Sequence, residues 1–434
     1  MRRIAIAAAL AATLIGAAAC SKAEDKGGAT GEGKTLKVWL MVDAQSSWKE
    51  VVEDANRRFT EKTKAQVKVE YQQWSNLLTT VDAALASSSP PDLLELGNTQ
   101  MPKYVFDGAF AELDKSKFEN SGTWLTGLSG PCTLDGKTYC VPYYAGARVL
   151  IYRTDLFEKS GLKPPTTYTE LLAAADKLKA DNATDPNFAA FYMPGAYWYA
   201  AMSWVYGNGG AIATKGSDGK WTGTLSQSSA QKGLTDWADL VKKYSKGDVT
   251  KDENDQDAIF AQGHAGMLYG NGWELGAVQS MRQDPNDDKS PMVDSPIKGK
   301  VASVPLPGSS AGQGLPSFLG GSNLAVTAKS QNKDLANEWI KIFTDTTAQK
   351  GLIAKGALPN ATSLLDLAAA VKGNEATALA AKNSWFVPMA ESWANVEQSN
   401  VLQNMLRDIA GGKKSVADAT AAADTEIAKI LNGG

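Results

Sequence analysis

A chain of 434 residues, 43% hydrophobic and 21% charged, has the length for two or three domains and the balance of an ordinary globular protein. A formal net charge of −3 argues against the concentrated basic face that nucleic acid demands, so no nucleic-acid partner is expected. One histidine and three cysteines leave too few ligands for a structural zinc site, and neither a metal nor a cofactor is expected.

The chain opens on Arg2 and Arg3, then runs through small and apolar residues from 4 to 19 before Cys20, Ser21 and Lys22. A basic flank, a short apolar core and a small-residue exit are the parts of a cleavable export signal, here residues 1–19. The run is shorter than the ~20 apolar residues of a membrane-spanning helix. Ala17-Ala18-Ala19-Cys20 resembles a bacterial lipobox, which implies acylation of Cys20 and anchoring to a membrane through the attached lipid. An ordinary export signal cut nearby is the competing reading. Residues 20–34 are small, polar and glycine-rich, the composition of a flexible tether.

Residues 36–41 predict a strand, and Trp48, Val51, Val52, Ala55 and Phe59 recur at helical spacing over 47–63. A second strand is expected over 67–71, a helix over 77–86 stopped by Pro90-Pro91, and a third strand over 92–96. This β-α-β-α-β rhythm implies an α/β fold with a parallel sheet covered by helices. Later helices are expected at 167–180, 229–244, 333–344, 399–409 and 415–431, with strands at 149–153, 266–269, 301–305 and 324–327. Residues 284–295, polar and broken by proline, read as an exposed loop.

Cys132 and Cys140 flank a hairpin turning at Asp135-Gly136, and in an oxidising compartment a disulfide between them is expected. A two-residue turn would pair Cys132 with Tyr139 and set the cysteines on opposite faces, so the bridge calls for a three-residue loop or a bulge. Two free thiols are the alternative. Several of the twelve tryptophans stand beside Gly, Asn or Tyr rather than in periodic apolar runs. Their flat faces and polar edges suit packing on a sugar ring, with burial in a core as the ordinary alternative.

The run Gly136-Lys137-Thr138-Tyr139-Cys140-Val141-Pro142-Tyr143-Tyr144 continues through residues 148–157 and 161–171. Downstream follow 260–267 with Gly272-Trp273, then Val304-Pro305-Leu306-Pro307-Gly308, 320–326 and Lys355-Gly356-Ala357-Leu358-Pro359. In this order the blocks resemble family 1 extracellular solute-binding proteins, the sugar receptors of ABC importers related to the maltose-binding protein. The resemblance implies a periplasmic-binding-protein-like class II fold, two α/β lobes joined at a hinge with the ligand in the cleft between them. Lobe 1 would take residues 35–145 plus 307–359, and lobe 2 residues 146–306 plus 360–434. It further implies a monomer on the outer face of the cytoplasmic membrane. Such a protein captures a sugar, an oligosaccharide by this reading, and delivers it to permease subunits without acting as an enzyme.

Loops after strand C-termini line the crevice of open parallel sheets. That rule nominates Asp43 and Gln45 after the first strand and Asn98, Thr99 and Gln100 after the third, the loops to which the resemblance also points. Asn98 and Thr99 equally suit a turn and a helix cap. Tyr143 and Arg148 lie where the chain leaves lobe 1. By the resemblance, Arg148 stands where several chito- and cello-oligosaccharide receptors carry arginine, whose fork suits a hydroxyl or an acetamido oxygen. The alternative is a salt bridge between the lobes. Relatives often carry an acid two positions earlier, where this chain has Gly146.

Trp198 and Tyr199 are candidate stacking platforms, as is Trp273, which a Gly270-Asn271-Gly272 turn presents on a tight loop. Trp393 matches a tail aromatic that the family places in the cleft, and a core position explains it almost as well. Gly321 and Ser322 would let backbone approach the ligand closely.

Enzyme readings are weaker. Gly308-Ser309-Ser310-Ala311-Gly312 spells a nucleophile elbow, yet it lies in a loop between prolines, and His264 precedes it. A glycosidase needs only two carboxylates, and no pair stands out among 47 acidic residues. The acidic runs at 252–257 and 284–288 lack the glycine and glutamate of a calcium loop.

Overall fold

The computed structural model describes residues 31–433 except 254, 285, 286 and 288. The export signal and Cys20 lie outside the described residues. Eight strands build the two main sheets: β1 (Thr35–Met41), β2 (Gln66–Gln72), β3 (Leu93–Gly97), β4 (Val141–Gly146), β5 (Arg148–Arg153), β6 (Met267–Asn271), β7 (Val301–Val304) and β8 (Gly320–Val326). The first sheet has the order β2-β1-β3-β8-β4 and the second β6-β5-β7.

β1 runs parallel to β2 and β3, as the β-α-β-α-β rhythm requires, whereas β8 enters antiparallel to both β3 and β4. Strand direction in a sheet depends on where distant segments return, which local periodicity does not encode. Only Ala147 separates β4 in the first sheet from β5 in the second, so the chain passes between lobes at that point.

Helices cover both faces of the first sheet. Leu36, Val38 and Leu40 of β1 point into a core shared with Val52, Ala55 and Phe59 of the helix Lys49–Thr63 and Trp339 and Phe343 of the helix Lys333–Phe343. Leu94 and Leu96 of β3 join a second core with Leu77, Val81 and Tyr104. In the second lobe, Leu150, Met267 and Tyr269 pack under an aromatic-rich core containing Trp204, Trp237 and Trp393. The helix Tyr168–Asp181 starts on a capping box, in which Thr167 and Glu170 satisfy each other's backbone N–H groups. Among the described residues no helix is long and apolar enough to cross a membrane.

Four expectations need correction. The tether does not reach Lys34, because Gly31 is already buried, its N–H donating to the Thr63 carbonyl and its Cα against Ala65 and Leu335. The disulfide Cys132–Cys140 forms without a three-residue loop or a bulge. Thr133 pairs with Thr138 and Leu134 with Lys137 around a two-residue Asp135-Gly136 turn, both residues at positive φ. The hairpin's last bond runs from the Tyr139 N–H to the Cys132 carbonyl, and beyond it Cys140 leaves the pleat and approaches to a Cα–Cα distance of 4.8 Å. Residues 284–295 are not all loop, since Met292–Asp294 pairs antiparallel with Ser280–Arg282. Finally, Trp198 and Tyr199 begin a helix, Trp198–Gly207, buried along most of its length.

Candidate ligand cleft

The first lobe contributes the two loops named from strand order. β1 runs into the short helix Val42–Ser46, which carries Asp43 half-buried and Gln45 exposed. β3 ends at Gly97, and residues 98–100 turn into the helix Met101–Phe106. Asn98 is buried, its amide donating to the Gly127 and Leu319 carbonyls at 2.9 Å each. These long-range bonds tie the end of β3 to two distant segments and leave the amide nitrogen engaged by protein. Thr99 Oγ1 and Gln100 Nε2 instead reach across to Glu397 Oε2, each at 3.2 Å.

Glu397 lies on the helix Trp393–Gln398 of the second lobe. Its Oε1 accepts from Trp393 Nε1 at 2.9 Å and from the Tyr199 hydroxyl at 3.4 Å. One half-buried carboxylate thus gathers donors from both lobes. Burial raises its pKa, and the donors from Trp393, Thr99, Gln100 and Tyr199 oppose that rise.

A second centre forms around Arg148 at the start of β5, only 4% exposed. Its Nη2 donates to both Glu253 oxygens at 2.8 and 2.7 Å, and its Nε donates to the Tyr197 hydroxyl at 2.6 Å. The guanidinium also lies 4.9 Å from the Tyr199 ring centre and 5.2 Å from that of Phe318. Burial alone would lower its pKa, and the Glu253 charge together with the Tyr197 and Tyr269 hydroxyls more than offsets this. Asn271 at the end of β6 donates to Glu253 from Nδ2 and to Glu274 Oε1 from N and Nδ2 at 3.0 and 3.1 Å.

Glu274 is fully buried, also accepts from Gln256 Nε2 at 3.0 Å, and has no partner at Oε2 among the described residues. Desolvation, reinforced by the Glu253 charge, pushes it up to about 7. In the first lobe Glu95 accepts from the Met41 N–H at 2.9 Å, and burial pushes it to about 7 as well.

This geometry, two α/β lobes meeting over strand C-termini, has counterparts. The family model for bacterial extracellular solute-binding proteins matches residues 39–350. The diacetylchitobiose binding protein DasA of Streptomyces coelicolor is 33% identical to this chain over 449 residues, covering 99% of each. The chain belongs to the bacterial extracellular solute-binding proteins. Similarity extends to the galactooligosaccharide-binding protein of Bacillus subtilis, at 23% identity over 96% of this chain and 95% of that one. The crystallised GacH receptor of Streptomyces glaucescens shares the fold with a TM-score of 0.75 at 21% identity, over 92% of this chain and 99% of that one.

In this solute-binding protein the residues named from sequence fall into three groups. Thr99, Gln100 and Tyr199 meet at Glu397, where the lobes touch. Trp273 stands 60% exposed just after β6, and Asp43 and Gln45 line the first lobe's rim. The remaining residues face protein. Tyr143 is fully buried, its hydroxyl accepting from Trp48 Nε1 at 2.6 Å. Trp198 and Trp393 are at most 2% exposed and pack 6.1 Å apart in one aromatic cluster with Trp385.

Arg148 spends its fork on Glu253, an ion pair inside the second lobe rather than between lobes. Gly321 adopts φ +138°, where an added Cβ would stand 2.2 Å from the Tyr144 carbonyl oxygen. Its close approach is therefore to β4. Ser322 is buried and donates to the Tyr144 hydroxyl at 3.4 Å.

Sequence reasoning missed Glu253, Glu397 and Asn271. The empty acidic position at Gly146 was the available signal for Glu253, since a buried arginine demands a carboxylate from somewhere. Of the enzyme patterns, Ser309 and Ser310 sit exposed in a loop closed by the Gly308–Gln313 hydrogen bond, and His264 pairs with Asp185 at 2.9 Å.

Proposed function

We propose that this chain is the ligand-capturing subunit of an ABC importer and that its ligand is a carbohydrate, most specifically a short oligosaccharide. The observation that carries this is the end-to-end likeness to a diacetylchitobiose binding protein at 33% identity. The meeting of polar loops and exposed tryptophan over strand ends supports it, because sugars combine hydroxyls needing fixed donors with apolar ring faces. Residues 35–145 plus 307–359 form lobe 1 and residues 146–306 plus 360–434 lobe 2. Ligand draws the lobes together, and the closed shape is what the permease reads. Acylated Cys20 holds the monomer at the outer face of the cytoplasmic membrane. No reaction is assigned to the buried carboxylates, which are engaged by protein donors.

The test uses the full chain carrying Cys20→Ser, which cannot be acylated. Titration with N,N′-diacetylchitobiose, cellobiose, maltotriose and galactobiose should give saturable heat with at least one sugar, recovered intact. Cleavage at enzymatic rates would overturn the reading. Trp273→Ala should weaken that binding by roughly tenfold, a loss of about 1.4 kcal/mol, while leaving the melting temperature within ~2 °C. Undiminished affinity removes Trp273 from the site.

A further inference from the structure

Among the twelve tryptophans, only Trp74 and Trp273 are exposed by more than a third. Trp74 follows β2 in the short turn Trp74–Asn76 and is 39% exposed. An indole left facing water is uncommon, because its burial contributes so much elsewhere in the molecule. Here the ring is held in place. Its Nε1 donates to Asp43 Oδ2 at 2.6 Å, and no donor among the described residues reaches Asp43 Oδ1.

The ring edge lies against Gly97, where an added Cβ would stand 3.6 Å from Trp74 Cζ3 and 2.3 Å from Gln100 Oε1. Gln100 in turn donates across to Glu397 of the other lobe. Trp74, Gly97, Gln100 and Glu397 therefore form one row leading to the junction of the lobes.

We propose that Trp74, pinned by Asp43, is a first-lobe stacking plate for the apolar face of a pyranose ring. Asp43 Oδ1 is the neighbouring acceptor for that ring's hydroxyl. The inference rests on the carbohydrate reading above and extends it to a residue and a lobe that reading does not use. Glycine at 97 leaves room for Gln100 beside the plate, because an added Cβ would stand 2.3 Å from Gln100 Oε1.

The experiment compares Trp74→Ala and Trp74→Phe in the full Cys20→Ser chain, titrated with N,N′-diacetylchitobiose, cellobiose and maltotriose. Each titration is paired with acrylamide quenching of tryptophan fluorescence. For the sugar that binds the unmodified chain, Trp74→Ala should weaken affinity by ~10-fold and Trp74→Phe by less than ~3-fold, since the phenyl keeps a face but loses the tie to Asp43. Sugar should protect the unmodified chain from quenching, and more of that protection should vanish in Trp74→Phe than replacement of a bystander tryptophan removes. Equal affinity of the unmodified chain and Trp74→Ala overturns this inference alone. Failure of the unmodified chain to bind any of the sugars overturns the carbohydrate reading, and this inference with it.

Discussion

Arg148→Ala should lower the unfolding free energy by about 3 kcal/mol, the lower end of the cost of breaking a buried ion pair. The guanidinium is 4% exposed and gives Glu253 two hydrogen bonds and Tyr197 one. Removing it strands the Glu253 carboxylate with Asn271 and the Tyr197 hydroxyl. Because the Glu253 side chain is 23% exposed, water recovers part of the loss, which places the estimate at the lower end.

Two companions sharpen the result. Arg148→Lys should recover less than half, since a point charge cannot fork onto both oxygens and Tyr197 together. Glu253→Gln combined with Arg148→Met should recover most of it, because the cost lies in the unpaired charge. Urea midpoints at unchanged m-value measure all three. If Arg148→Ala left stability within 1 kcal/mol but abolished sugar binding, the arginine would be a ligand contact rather than the organiser of the second lobe's wall.

The reason Arg148 was legible only in part bears on the whole cleft. Helices such as Tyr168–Asp181 and Lys333–Phe343 follow from apolar spacing and caps, which are local quantities, and they emerge within a residue or two of expectation. β1 to β3 are likewise readable, because a buried parallel strand needs an apolar run wherever it sits. The partners of a buried polar group are set by which distant segments converge. Glu253 lies 105 residues from Arg148, and Glu397 lies 298 from Thr99.

Aromatics fail for a related reason. Trp198 stands beside tyrosines and Trp273 beside glycine in the sequence, yet one opens a buried helix while the other is exposed. Trp74, in Gln73-Trp74-Ser75, gave no glycine signal at all, and only its exposure separates it from the ten other tryptophans below one-third exposed.

The buried carboxyls make stability fall as pH rises from about 4.5 to about 7, opposite to the slope that salt-bridged carboxylates give. Glu274 and Glu95 ordinarily titrate near 4.5, and desolvation carries both to about 7 in the folded chain. Between those values the native state holds protons that the unfolded chain has released, so the derivative of unfolding free energy with pH is negative. The contribution is complete below the unfolded value and lost above the folded one. At 1.36 kcal/mol per pH unit each group accounts for about 3 kcal/mol across the window. Surface carboxylates such as Asp185 and Glu170, lowered by hydrogen bonds, act at lower pH, whereas Asp252, pushed up to about 6, and Asp257 and Glu397, also raised by burial, add to the fall.

Glu274→Gln isolates the effect. A carboxamide copies the neutral acid, with its oxygen able to accept from Gln256 and Asn271 as Oε1 does now. The variant should match the parent near pH 4.5, exceed it by about 3 kcal/mol near pH 7.5, and show a decline between them that is smaller by that amount. Urea unfolding at half-unit pH steps measures this. A parent whose stability climbs from pH 5 to 7, or a variant with an undiminished decline, would mean that Glu274 is ionised in the folded chain and held by Gln256 and Asn271 as a true anion.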